Sequence, residues 1–161
     1  MGKGRKLKRN PSALIAFLLL VLSAFIFPLF GTSIFGESFS NKSTVIINLI
    51  KDTFTSQINL SSNFGILQLL LVIIFVFITL FYFLNGVGAI YNRYSRYASI
   101  LTFVYLVIGL ITYNVLNNEY AASIFGFEIS SVSMGAGIYF VPIVGICYLI
   151  FARSLNRVIR I

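Results

Sequence analysis

The side chains that could do chemistry are few. The chain holds four acids, Glu37, Asp52, Glu119 and Glu128, one thiol, Cys147, and no histidine. Without imidazole it lacks the commonest metal ligand and the commonest general base. A Ser-His-Asp arrangement therefore has no base, and structural zinc or iron–sulfur sites need several thiolates or imidazoles where one thiol is present. Haem ligation would fall to Cys147 or Met134 alone. A carboxylate pair for hydrolysis would need Glu37 or Asp52 to meet Glu119 or Glu128, and the simpler reading is four solvated loop acids. Cys147, with no second cysteine to pair with, reads as a small apolar residue. Gly86-x-Gly88 follows an apolar helical run and not a strand, so it is not a nucleotide loop. The expectation is a chain with no catalytic residue, no cofactor and no metal.

The elements that carry these residues are apolar. The stretch Phe64–Leu84 contains no charge and no proline over 21 residues. As a helix rising ~1.5 Å per residue it matches a bilayer's hydrocarbon core, about 30 Å thick. The whole chain is 58% hydrophobic and 10% charged, against about 25% charged in ordinary soluble domains. Three further runs of similar character give spans at 11–30, 98–116 and 132–151. The predicted fold is an all-α integral membrane protein, one domain of four transmembrane helices over residues 1–161.

Asn10 as N-cap and Pro11 as first helical residue open the first span, and Pro28 falls near its far end. Its apolar core, Ala13–Phe30, exceeds the ~7–15 residues of a signal-peptide core, and no A-x-A site follows, so a retained span is expected. The connector 31–63 holds Ile47, Ile50, Phe54 and Ile58 at helical spacing, with Asn48, Lys51, Asp52 and Thr55 largely on other faces. This predicts a short amphipathic helix, capped by Ser43 or Thr44, on the membrane surface or over the bundle. A strand through Thr44–Ile50, rich in β-branched residues, is the competing reading. Span 4 contains Gly135, Gly137, Pro142 and Gly145, which make it the least regular helix.

Charge sets the orientation. Ten of the twelve Lys and Arg lie in residues 1–10, in the connector 85–97 and in the tail, while the connectors 31–63 and 117–131 hold Lys42, Lys51 and all four acids. The positive-inside rule then places both termini in the cytoplasm of a multi-pass cell-membrane protein. The +8 net charge is thereby explained by lipid headgroups and not by nucleic acid, with Arg93, Arg96, Arg153, Arg157 and Arg160 as headgroup contacts. Two sequons, at Asn41 and Asn59, fall on the outer side and are candidate glycosylation sites.

The spans contain no ionisable side chain other than tyrosine and cysteine, which argues against proton relays, voltage sensing and ion-coupled transport. Their polar and small residues fall on stripes. Span 2 places Gln68, Val72, Phe75, Thr79 and Tyr82 on one face, and span 3 places Thr102, Tyr105, Gly109 and Tyr113 on another. In span 4, Ser133 and Gly137 form a small-xxx-small step that Gly145 continues. Such stripes let helices approach and hydrogen-bond. They serve packing within one bundle, or a seam for another membrane subunit or a second copy. The layout resembles that of claudin-like tetraspan proteins: a long first outer loop, a short second one, termini inside, and Gly135-x-Gly137-x-Tyr139 opening the last span. The first-loop tryptophan and cysteine pair of those proteins have no counterpart here. The functional expectation is a non-catalytic membrane subunit or scaffold in a larger complex. The alternative is an oligomeric channel or carrier for a small neutral or apolar solute, lined by Gln68, Thr79, Thr102 and Tyr105. An enzyme built on the outer-loop acids ranks third.

Overall fold

The computed structural model describes residues 10–34, 37–55, 61–88, 93–120, 122–124 and 127–158, and side chains within 10–31, 45–55, 61–88, 95–118 and 132–151. Five helices and four strands follow in the order α1 (Pro11–Ile26), β1 (Pro28–Ile34), β2 (Glu37–Val45), α2 (Ile46–Phe54), α3 (Asn63–Gly86), α4 (Arg93–Tyr120), β3 (Ala122–Ile124), β4 (Phe127–Met134) and α5 (Ala136–Val158). The structure is dominated by helix, as expected. The four long helices form a ring in which α1 packs on α3 and α5, and α4 packs on α3 and α5. Two helical segments, Asn63–Gly86 and Ser95–Asn118, are long and apolar enough to cross a membrane; Pro11–Ile26 and Ala136–Phe151 are shorter apolar helices.

The connectors hold what the all-helical expectation leaves out, a four-stranded antiparallel sheet of order β2-β1-β4-β3. It shortens two of the expected spans. The first was expected to run to Phe30, but α1 stops at Ile26 and Phe27 is extended, with φ −93 and ψ 121. Pro28 is the cause: its ring disfavours helical backbone at the residue before it, and Pro28 opens β1. Leu29 and Phe30, counted as span, are buried strand residues. At the other end, the expected start of span 4 at Val132 belongs to β4, and α5 begins only at Ala136. Spans 2 and 3 are instead longer than expected: α3 covers Asn63–Gly86, and α4 opens five residues before Ala98 and continues to Tyr120. Pro142 lies inside α5 without ending it.

The strands join chain segments distant in sequence. β1 pairs with β2 on one side and with β4 on the other, Phe30 opposite Met134 and Ile34 opposite Ser130. The sheet thus ties the end of α1 to the start of α5. Of the two readings of 44–50, the helix holds from Ile46 onward and the strand holds up to Val45. The cap is Val45, with no side-chain cap bond, and not Ser43 or Thr44. The buried face of α2 also differs from the expected Ile47–Ile50–Phe54 row, because Ile46 and Leu49 face the core and Phe54 points outward. Ile58 lies outside the described residues.

Helix ends are capped by local chemistry. The Asn10 side chain accepts from the backbone N–H of Ser12 and Ala13, and Ser62 accepts from Gly65, satisfying donors that the first turn leaves open. Gly88, with φ 81, turns the chain after α3 in the left-handed region that costs glycine little. Gly86 is the last residue of α3.

Candidate functional site

The interior between α1, α3, α4 and α5 carries a line of polar side chains near the end where α3 turns into α4. Ser95, Ser99 and Thr102 follow at +4 and +3 along α4, which puts them on one face. All three are buried, as are Tyr82 and Asn85 on α3 and Tyr148 on α5. Thr102 Oγ1 donates to the Ser99 carbonyl at 2.6 Å, and Ser99 Oγ to the Ser95 carbonyl at 3.0 Å. The Ser99 proton is thereby committed, so Tyr82 is the donor in the 2.8 Å bond between its hydroxyl and Ser99 Oγ. Tyr148 donates to Ser95 Oγ at 2.7 Å and accepts from Asn10 Nδ2 at 3.1 Å. The Tyr82 and Tyr148 rings meet edge to face, centroids 5.1 Å apart, the arrangement their quadrupoles favour. This cluster joins all four long helices through donors and acceptors that are largely matched. Among the described residues, Asn85 Nδ2 and the Tyr105 hydroxyl are the buried side-chain atoms with no partner.

Glycines close the rest of the interior. A Cβ on Gly145 would run into Thr102 Oγ1 and lie 3.0 Å from Thr102 Cγ2. On Gly109 it would come within 2.9 Å of Ile138 Cγ2, and on Gly86 within 3.1 Å of the Leu14 backbone. At the sheet end, Gly135 faces the Pro28 carbonyl so closely that a Cβ has no room, and a Cβ on Gly137 would meet the Phe27 carbonyl oxygen at 2.9 Å. At Gly86, Gly135 and Gly137 the neighbour is backbone, and at Gly109 and Gly145 it is a side chain of the facing helix, the close packing that small residues permit.

The residues singled out in sequence fall largely into this interior. Tyr82, Thr102, Tyr105, Gly109, Gly137 and Gly145 are buried. Gln68, Thr79 and Tyr113 are half-buried. Thr79 turns its hydroxyl back to the Phe75 and Val76 carbonyls, at 3.0 and 2.9 Å. The span 2 stripe therefore faces the core, with Val72 and Phe75 buried beside Tyr82. The Ser133–Gly137 step is not a helical one: Ser133 is exposed in β4, its Oγ donating to the Gly31 carbonyl at 3.3 Å, while Gly137 is in α5. Sequence reasoning missed Asn10 as more than a cap, and missed Ser95, Ser99 and Tyr148. The +4, +3 spacing of Ser95, Ser99 and Thr102 was the available signal, obscured by placing Ser95 in a connector.

The remaining candidates lie at the edges. Arg96 is exposed near the start of α4. Arg93, Arg153 and Arg157 are in the terminal turns of α4 and α5, with side chains outside the described set, and Arg160 lies outside the described residues. Asn41 is on β2, its side chain likewise outside, and Asn59 lies outside altogether. Of the four acids only Asp52, half-buried on α2, has its side chain described; Glu37, Glu119 and Glu128 lie on β2, α4 and β4 with side chains outside the described set. Among the described residues no three His, Cys, Asp or Glu converge. What this interior does is hold helices together. Comparison with protein-family models, with curated proteins and with solved structures finds no match.

Proposed function

We propose that the chain is a multi-pass integral membrane protein in which α1, α3, α4 and α5 all cross the bilayer, and that it serves as a non-catalytic subunit or scaffold of a larger membrane complex. Support for the membrane reading comes from where the apolar side chains point. Only 28% of the apolar window of α3 and 33% of that of α4 is buried, whereas the core helix of a soluble domain hides its apolar face. Leu18, Phe25, Phe77, Val107 and Ile150 are exposed to the outside of the ring. Lipid is the solvent in which such a surface carries no penalty. The 16 residues of α1 reach about 24 Å, and a shortfall of a few ångströms is met by local thinning of the bilayer. The Lys and Arg distribution supports an orientation with both termini, and the α3–α4 turn, in the cytoplasm.

The observation that carries the scaffold reading is that small and polar residues are consumed inside the bundle. Thr102 and Tyr105, which would line a solute route, are buried, and Thr102 is pressed against Gly145. A conduit there would have to part α4 from α5. Large apolar side chains form the outer belt, and the sheet at the outer end keeps β2 as an edge strand. The open backbone groups of that edge are what the chain offers to another subunit. Extraction in mild detergent followed by native-mass measurement and partner identification tests this. A larger assembly that dissociates when β2 is altered is expected. A monodisperse monomer with no co-purifying protein, together with solute flux in reconstituted vesicles above that of empty vesicles, would overturn it in favour of a carrier.

A further inference from the structure

The geometry points to a phospholipid contact on one flank of α2, where Phe54 enters the acyl region of the outer leaflet and Lys51 pairs with a lipid phosphate. The inference rests on the membrane reading above. Successive residues of α2 step by about 100°, which divides the helix into three sectors. Ile46 and Leu49 are buried against the bundle, with Ile50 packed beside them. Thr53 joins that side, its hydroxyl satisfied by the Leu49 carbonyl at 2.7 Å. A second sector holds Asn48, Asp52 and Thr55, all polar. The third holds Ile47, Lys51 and Phe54, at i, i+4 and i+7. In it Ile47 is half-buried, Lys51 is exposed, and Phe54 is 86% exposed, the most exposed of the described large apolar side chains.

An aromatic ring, an aliphatic chain and a lysine on one flank, with the acid turned to another sector, is the pattern of a helix lying in an interface. The position fits. The helix contacts both α1 and α3, and it lies in the connector between the outer ends of those two helices, so it sits at headgroup level. The lysine stem covers apolar surface while its ammonium reaches the phosphate. A single cation between two apolar groups is complementary to a phosphate lying above acyl chains. A protein partner of the usual kind would instead meet a broader apolar centre with a mixed polar rim.

The chain contains no tryptophan, so Phe54→Trp in the full-length protein gives a single-tryptophan reporter, and Val107→Trp, on the outward face of α4, gives a second. Both are reconstituted in phosphatidylcholine vesicles carrying bromine either high or low on the acyl chains. For Phe54→Trp the expected result is blue-shifted emission quenched more by the shallow bromines than by the deep ones. Charge inversion by Lys51→Glu in that background should lower the quenching, and Lys51→Arg should preserve it. Val107→Trp should be quenched more by the deep bromines. Red emission at position 54 that iodide quenches and bromine does not, with Val107→Trp still quenched by deep bromines, overturns the lipid contact and leaves the spanning helices in place. Bromine-insensitive blue emission at 54 overturns it too, because it means that protein covers the ring. Loss of bromine quenching at both positions overturns the membrane reading itself. A nitroxide at Phe54→Cys in a Cys147→Ala background, read by oxygen against aqueous nickel-chelate accessibility, repeats the measurement without the indole. Nickel-dominated broadening there refutes the contact.

Discussion

Replacing Gly145 by alanine sets two effects of opposite sign against each other. Alanine in the helix interior gains roughly 0.5–1 kcal/mol over glycine from backbone entropy. Against this, its methyl meets Thr102 Oγ1 with no room and lies 3.0 Å from Cγ2 and 3.2 Å from Cβ. Rotating the Thr102 side chain gives no relief, because all three atoms face Gly145 and the hydroxyl is held by the Ser99 carbonyl at 2.6 Å. Overpacking of this kind costs about 1–3 kcal/mol, so the steric term wins and Gly145→Ala should destabilise. For a chain of this size, each kcal/mol lost lowers Tm by about 2–4 °C. Thr102→Ala alone forfeits one hydrogen bond and a methyl, about 1 kcal/mol. In the double variant Gly145→Ala/Thr102→Ala the new methyl on α5 meets only a Cβ, so most of the clash disappears and the pair should show about 1–2 kcal/mol of favourable coupling. The assay is thermal unfolding in a mild detergent, followed by far-UV circular dichroism and by loss of the monodisperse peak. A Tm for Gly145→Ala at or above that of the native chain would refute the close α4–α5 approach, and so would losses that simply add in the double variant.

The polar cluster predicts an order among tyrosines: Tyr148→Phe breaks bonds to both Asn10 and Ser95, whereas Tyr82→Phe breaks one to Ser99, so the same melts should show the larger loss for Tyr148→Phe, and equal losses would refute the network. Gly135→Ala forces a methyl onto the Pro28 carbonyl and should uncouple the sheet from α5, seen as faster amide exchange at position 135 and along β1. Orientation is checked by impermeant thiol labelling of intact cells in a Cys147→Ala background: label at Ser40→Cys and none at Arg96→Cys is expected, and the reverse would invert the topology. Arg96 serves as the inner reporter because its side chain is exposed.

The helices are legible because their signal is local. Phe64–Leu84 announces itself by composition, and the spacing of Val72, Phe75 and Tyr82 alone identifies the buried face of α3. Pro28 is visible too, yet in sequence it suggests only a bend in a span, when its effect on Phe27 is to end the helix. The sheet is not legible. The strands of residues 28–45 mix Ser, Thr, Gly and charged residues without clean alternation, and the partner that fixes β1 lies about a hundred residues away. No window of sequence contains both halves of that signal. Ser95 escapes for a smaller reason, since its helix begins earlier than hydropathy alone marks, and without it Ser99 has no partner to complete a stripe. The functional site is legible in part: the inward stripes can be found, but which of their hydroxyls pair with which depends on the ring order of the helices.

The pairing of β1 with β4 has a consequence for how the protein is made. Gly31 and Ser133, joined across that pairing, are 102 residues apart. At a synthesis rate of about 5–20 residues per second, β1 waits roughly 5–20 s for its second neighbour. During that interval it has β2 on one side and an open row of backbone donors and acceptors on the other, a template for pairing with another chain. The same lag leaves any chain that ends before Phe127 with β1 permanently unpaired on one side. On the membrane reading proposed above, such a product would insert α1, α3 and α4 and still present an unpaired strand, so quality control at the sheet's end of the bundle is where premature termination would be detected.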